Sequence, residues 1–162
     1  CFTKLFTEGI KNPNRRPIEN EWQSLFVRLR SEVIPCTCGR TTFASAFKRL
    51  DNGKYCCPKC NAEYSALHLS KGNYDIPLYE GACLYECDID KISDNFDNVV
   101  GQVIENKIHR GVFGIKNFSN KSWNVTLPNG TPKEVAPNGG FPIWDGLTID
   151  FGNVTANVVT NK

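Results

Sequence analysis

Two close pairs of cysteines constrain this chain more than any other feature. The stretch CTCGRTTFASAFKRLDNGKYCCPKC, residues 36–60, opens on Cys36 and Cys38 and closes on Cys56, Cys57 and Cys60. Eighteen residues separate Cys38 from Cys57, a spacing that can bring four thiolates to one tetrahedral Zn²⁺. Cys57-Pro-Lys-Cys60 is a C-x-x-C knuckle, whereas Cys36-Thr-Cys38 is the tighter C-x-C. Gly39 follows the tighter pair and lets backbone N–H groups turn towards the sulfurs without a Cβ clash. Cys56 competes with Cys57; the x-x spacing selects Cys57 and leaves Cys56 as a small apolar residue facing away. The expected ligands are therefore Cys36, Cys38, Cys57 and Cys60. Between the pairs the sequence predicts a strand, an Asp51-Asn52-Gly53 turn and a returning strand, which together make a zinc ribbon. Four thiolates leave no open coordination position, so this Zn²⁺ is expected to hold the fold and not to activate water.

Redox compartment bears on that reading, because the same pairs could form disulfides in an exported protein. No charged start followed by a long apolar run opens the chain, and no apolar stretch approaches the ~18 residues of a membrane span. The expectation is a cytoplasmic protein with no membrane partner, with thiols that bind metal. By the same logic the N-x-S/T triplets at Asn117, Asn120, Asn124, Asn129 and Asn153 read as turns and strands, not as glycan acceptors. The chain starts at Cys1 and contains no methionine, and it reads as part of something longer.

Charge and pattern divide the 162 residues into three modules, 1–35, 36–74 and 75–162. Residues 1–74 carry 12 Lys/Arg against 6 Asp/Glu, and residues 75–162 carry 7 against 11. The basic surplus contains no dense run and reads as a solvated face, which argues against nucleic acid as a partner. A ribbon that did bind nucleic acid would use Arg40, Lys48, Arg49, Lys54 and Lys59.

In the first module Phe2, Leu5, Phe6 and Ile10 recur at helical spacing, and NPNRRP ends that helix. A second helix is expected from Pro17 onward, with Trp22, Leu25, Phe26, Leu29 and Val33 as one apolar stripe. Two helices bury little on their own, so they must pack on the ribbon or on further sequence. The third module consists of short β-branched runs, among them VVGQVIE, WNVTL and TANVVT, separated by Gly, Pro and Asn turns. That pattern predicts an antiparallel β-sandwich. The overall fold class is thus α+β. Cys83 and Cys87 share parity with Tyr79, Tyr85 and Ile89 and are expected on one buried strand face. His68 and His109 are expected at the surface or in caps. The carboxylates Glu80, Glu86, Asp88, Asp90, Asp94 and Asp97 are expected on a solvated face.

LFTEGIKNPNRRPIENEWQSLF, residues 5–26, resembles the last helices of a protein-kinase domain. By that resemblance Arg16 corresponds to a buried structural anchor that pairs with the glutamate of an Ala-Pro-Glu motif. The Gly-rich loop, the strand lysine and the His-Arg-Asp, Asp-Phe-Gly and Ala-Pro-Glu motifs are all absent, so the chain is not expected to transfer phosphate itself. The order of kinase tail, ribbon and β-module resembles bacterial serine/threonine kinases of tellurite-resistance-associated systems. Their expected partners are a von Willebrand factor A-domain protein and a PP2C-type phosphatase. The run FGIKNFSNKSWNVTLPNGTPKEVAPNGGFPIWDGLTIDFG resembles a forkhead-associated (FHA) sandwich, a fold that reads phosphothreonine. Its Gly-Arg and Ser-x-x-His motifs are not recognisable here. Arg110, the one arginine after residue 75, is the candidate phosphate-binding residue. The expected function is a non-catalytic interaction region of a kinase, with a phosphothreonine reader and a nucleic-acid-binding ribbon as alternatives.

Overall fold

The first helix breaks at Thr7. In the computed structural model, which describes residues 2–71 and 75–160, two short helices, α1 (Phe2–Phe6) and α2 (Glu8–Lys11), replace the single expected one. At the break, Thr7 donates to the Thr3 carbonyl through both its backbone N–H, at 3.0 Å, and Oγ1, at 2.7 Å. The Asn12 side chain then accepts from Asn14 N–H at 3.1 Å and opens a 3-10 turn, Pro13–Arg15. Helix α3 (Glu19–Ser31) starts two residues after Pro17. The Glu21 carboxylate accepts the Ile18 backbone N–H at 2.9 Å and holds Lys4 Nζ at 3.1 Å. These contacts, the backbone bond first, keep the Glu21 carboxyl below its ordinary pKa. Val33 leaves the expected apolar stripe because the chain has already turned into a strand there. No residue of α3 is fully buried, and Phe6, Ile10, Ile18 and Phe26 are each more than half exposed.

The ribbon is built from two small sheets. Strand β1 (Val33–Pro35) pairs antiparallel with β2 (Thr41–Phe43). Strands β3 (Lys48–Arg49), β4 (Lys54–Cys56) and β5 (Glu63–Ser65) form an antiparallel three-stranded sheet. The strand expected after the first cysteine pair is broken by a 3-10 turn at Ala44–Ala46. The turn at Asp51-Asn52-Gly53 is as expected, with Gly53 at φ 75°, a backbone region that glycine enters at no steric cost. Ile34, Ala44, Phe47, Tyr55 and Ala66 join two of the cysteines in a separate small core.

Two further sheets face each other across a larger core. The chain supplies β6 (Leu67–Ser70), β7 (Asp75–Pro77), β8 (Cys83–Tyr85), helix α4 (Glu86–Ile89), β9 (Val99–Glu105), β10 (Phe113–Asn117), β11 (Trp123–Thr126), β12 (Pro132–Val135), β13 (Gly140–Pro142), β14 (Thr148–Asp150) and β15 (Thr155–Thr160). One sheet has the order β12-β11-β14-β15-β6-β7 and the other β13-β10-β9-β8, every pairing antiparallel. Because β6 pairs with β15, the larger sheet takes its first strand at Leu67. The expected module boundary at 74/75 abuts residues 72–74, and these, like Cys1, lie outside the described residues.

Alternation builds this core. Trp123 and Val125 point inward from β11, as do Ala156 and Val158 from β15, while their neighbours Asn124, Thr126, Thr155 and Asn157 are exposed. The Trp123 indole crosses to the opposite sheet, where a Cβ at Gly101 would lie 2.8 Å from its Cη2. Three of the four outermost strands of the two sheets, β7, β12 and β13, contain a proline. The fourth, β8, shifts register between Leu84 and Tyr85.

Cys83 lies on β8 but on the face opposite the buried Leu84 and is only partly buried, and Cys87 is in α4 and not on a strand face, so neither cysteine is the core residue expected. The turn into helix is fixed by Asp88, whose carboxylate accepts the Tyr85 N–H at 2.9 Å. Asp88 is buried, against the expectation of a solvated face, and Lys71 lies beside it. His68 is also inside, where the sequence suggested a surface role. It sits on β6 with its ring edge-on to Tyr55 at 5.7 Å, and its Nδ1–H donates to the Ala66 carbonyl at 2.7 Å.

Burial holds the His68 imidazole below its ordinary pKa of 6.5. In the unfolded chain it takes up a proton near pH 6.5, so its contribution to stability is complete above that pH and is lost as pH falls below it. The expected result is a melting temperature that falls between pH 7 and pH 5, with the fall reduced in His68→Leu. Equal slopes in the two proteins would show that the ring carries no such load.

Candidate metal centre

Each cysteine pair sits on a turn that the backbone hydrogen bonds tightly. The first occupies the connection between β1 and β2, where Cys36 N–H donates to the Arg40 carbonyl at 2.7 Å and Gly39 N–H to the Cys36 carbonyl at 2.9 Å. Gly39 takes φ 82°. The second follows β4: Cys57 N–H donates to Ala62 O, and Asn61 N–H to Cys57 O, both at 2.9 Å. Asn61 adopts φ 59°, a left-handed conformation that Asn tolerates better than most residues. Two such knuckles facing each other bring their sulfurs to one point.

The Sγ atoms of Cys36, Cys38, Cys57 and Cys60 all lie within 4.8 Å of one another. Cys36 to Cys60 is 3.4 Å and Cys38 to Cys57 is 3.9 Å. A tetrahedron with Zn–S bonds of ~2.3 Å has sulfurs about 3.8 Å apart, so the four thiols have the size of a metal cage. Cys56 is buried outside it, with its Sγ 3.8 Å from the Asn61 side-chain oxygen. The choice of Cys57 over Cys56 therefore matches the geometry.

Local donors prepare the thiols unequally. The backbone N–H of Cys38, and then the Tyr64 hydroxyl, bring Cys36 down to about 6. The backbone N–H of Lys59 is the leading cause that lowers Cys57. At Cys60 the N–H of Ala62 favours the thiolate, but the sulfur of Cys36, burial and the sulfurs of Cys38 and Cys57 outweigh it and push the thiol up to about 12. Four thiolates at this spacing repel one another, and a central cation removes the conflict. Tyr64, which the sequence reading did not single out, belongs to this surround: its hydroxyl also accepts the Thr37 N–H at 3.2 Å. A faint signal existed in its position four residues after Cys60, on a strand returning to the first knuckle.

The other expected site residues do not gather into a second centre. Arg16 donates through Nε to the Gly9 carbonyl at 3.0 Å, and so ties α2 to the segment before α3. Arg110 is exposed on the loop between β9 and β10, where the neighbouring Gly111 N–H donates to the Glu105 carboxylate at 2.7 Å. Of the basic ribbon residues, Lys54 pairs with Glu63 at 2.8 Å and Lys59 Nζ approaches the Cys38 carbonyl at 3.5 Å. Arg40, Lys48 and Arg49 are exposed. Asn117, the first of the N-x-S/T triplets, is fully buried and donates to the carbonyls of Lys121 and Val135. Among the described residues no helix is long and apolar enough to cross a membrane.

Comparisons with protein-family models, with curated proteins and with solved structures return no match.

Proposed function

We propose that this chain is the non-catalytic interaction region of a bacterial serine/threonine kinase, held in shape by a structural Zn²⁺ on Cys36, Cys38, Cys57 and Cys60. Zinc suits an all-thiolate tetrahedral cage better than magnesium or calcium, which take oxygen ligands. A fully ligated ion of this kind supplies folding energy and offers no position to a substrate.

The observation that carries the kinase reading is the helical segment. Its three helices leave Phe6, Ile10, Ile18 and Phe26 each more than half exposed, as expected of helices whose core partner lies elsewhere. That agrees with the likeness of residues 5–26 to the end of a kinase domain. In this reading the β-module is FHA-like, a two-sheet antiparallel sandwich that presents loops to partners. The region works in the cytoplasm by docking a von Willebrand factor A-domain protein and a PP2C-type phosphatase near the kinase's catalytic domain.

Affinity capture from native lysate with the tagged chain, identified by mass spectrometry and repeated after phosphatase treatment, tests this. Retention of either partner regardless of treatment is the expected result. Loss of all retained protein on dephosphorylation would replace the docking reading with a phosphothreonine reader, and retention of nucleic acid alone would replace it with a nucleic-acid ribbon.

A further inference from the structure

The two knuckles bring their sulfurs together in a definite pairing. Cys36 Sγ lies 3.4 Å from Cys60 Sγ, and Cys38 Sγ lies 3.9 Å from Cys57 Sγ. Both approaches run between the knuckles and not within one, and together they use each of the four thiols once. A disulfide holds its sulfurs at about 2.05 Å, so a pair at 3.4 Å has roughly 1.4 Å to close.

Exposure then separates the four. Cys60 is exposed, Cys38 is half-buried, and Cys36 and Cys57 are buried. An oxidant arriving from solvent meets Cys60 first, and the buried Cys36 sulfur stands 3.4 Å behind it. An accessible sulfur with a second one poised to resolve it is the arrangement that carries oxidation to a disulfide and not to the irreversible acids. Cys56 stands apart, buried outside the cage with its Sγ 3.8 Å from the Asn61 side-chain oxygen.

We propose that Cys60 and Cys36 form an oxidation site for hydrogen peroxide, and that their disulfide displaces the zinc ion. Release of metal rests on the zinc reading above, whereas the sulfur pairing rests on the distances alone. The Cys60 thiolate attacks one peroxide oxygen: an S–O bond forms, the O–O bond breaks, and the departing hydroxide takes up a proton as water. The Cys36 thiolate then attacks the sulfenic sulfur of Cys60. An S–S bond forms, the S–O bond breaks, and the second hydroxide takes up a proton as water. Each sulfur has lost one electron, and the peroxide has gained two electrons and two protons. Cys38 and Cys57 remain, half of a tetrahedral set, and a second equivalent of peroxide links them by the same two steps. The two links span 24 and 19 residues, so the oxidised ribbon stays tied between the same knuckles that the ion joins.

The test adds hydrogen peroxide to the intact zinc-loaded chain, follows zinc with a chromogenic chelator, and maps the links by mass spectrometry after alkylation and proteolysis. The first equivalent is expected to give the Cys36–Cys60 link with loss of the ion, and the second the Cys38–Cys57 link, with Cys56 still free to alkylate. Dithiothreitol is expected to restore the four thiols and one zinc per chain. A first link within a knuckle, Cys57–Cys60 or Cys36–Cys38, overturns the proposal. So does zinc retained through a large excess of peroxide, or sulfinic acid at Cys60 in place of a disulfide. A chain that purifies without metal and still forms Cys36–Cys60 fails the zinc reading and upholds the oxidation site. A metal-bound chain that never forms this link upholds the zinc reading and overturns the oxidation site.

Discussion

Stripping the metal with a strong chelator is expected to unfold residues 33–65 and to leave the sandwich folded. The ribbon has a core of only seven buried residues, and Cys36 and Cys57 are two of them. So small an apolar cluster does not offset the entropy of ordering the strands around it. Structural zinc binding is worth about 10–16 kcal/mol in comparable small modules, as much as the whole stability of many domains. An ion held by the four thiols would therefore be the principal stabilising term of this unit, and the two larger sheets, with their own buried cluster, would not share that dependence. One metal ion per chain is the expected stoichiometry by elemental analysis. Serine at any one of Cys36, Cys38, Cys57 or Cys60 lowers it well below one, and Cys56→Ser leaves it at one. If Cys56→Ser empties the site and Cys57→Ser does not, the ligand set is wrong. A ribbon whose amide spectrum survives chelation would remove the structural role altogether.

Replacing Trp123 with alanine is the second large effect, and it falls on the other unit. Trp123 is fully buried, meets Phe151 edge-on at 5.0 Å between centroids, and reaches the opposite sheet at Gly101. Truncating so large a side chain costs about 3–5 kcal/mol, since the sheets cannot close the hole it leaves. With a urea slope of roughly 1–3 kcal/mol per molar for a small domain, the unfolding midpoint should fall by 1 M or more. Metal content should stay at one per chain, because the ribbon core does not include Trp123. A midpoint within a few tenths molar of wild type would mean that the indole is not the centre of the sandwich.

Much of this was legible in the sequence because it rested on short-range rules. Cysteine spacing marks two knuckles wherever the intervening chain can turn back, and Gly39 and Gly53 carry the positive φ those turns need. Strands β9 and β15 lie where their β-branched runs put them. The features that escaped are set by partners distant in sequence. Strand β6 exists because β15, some ninety residues later, pairs with it; the run Leu67–Ser70 alone does not announce a strand. His68 is buried for the same reason. Cys87 turned into a helix because of the single bond from Tyr85 N–H to Asp88, which alternation cannot foresee. The setting of Arg30 likewise arises only when Tyr85 and Phe96, more than fifty residues later, arrive beside it.

The prolines on the outer strands have a further consequence. A sheet edge recruits another chain by offering an unbroken row of donors and acceptors. Pro77, Pro132 and Pro142 each delete a donor from such a row, and the register shift in β8 disorganises the fourth margin. A strand added to one of these three margins, whether from a partner's peptide or from a second copy of the chain, finds one donor missing from the row. The margins are thereby poorer templates for edge-to-edge pairing, which favours contacts through side chains, clefts and loops over fibre-like growth.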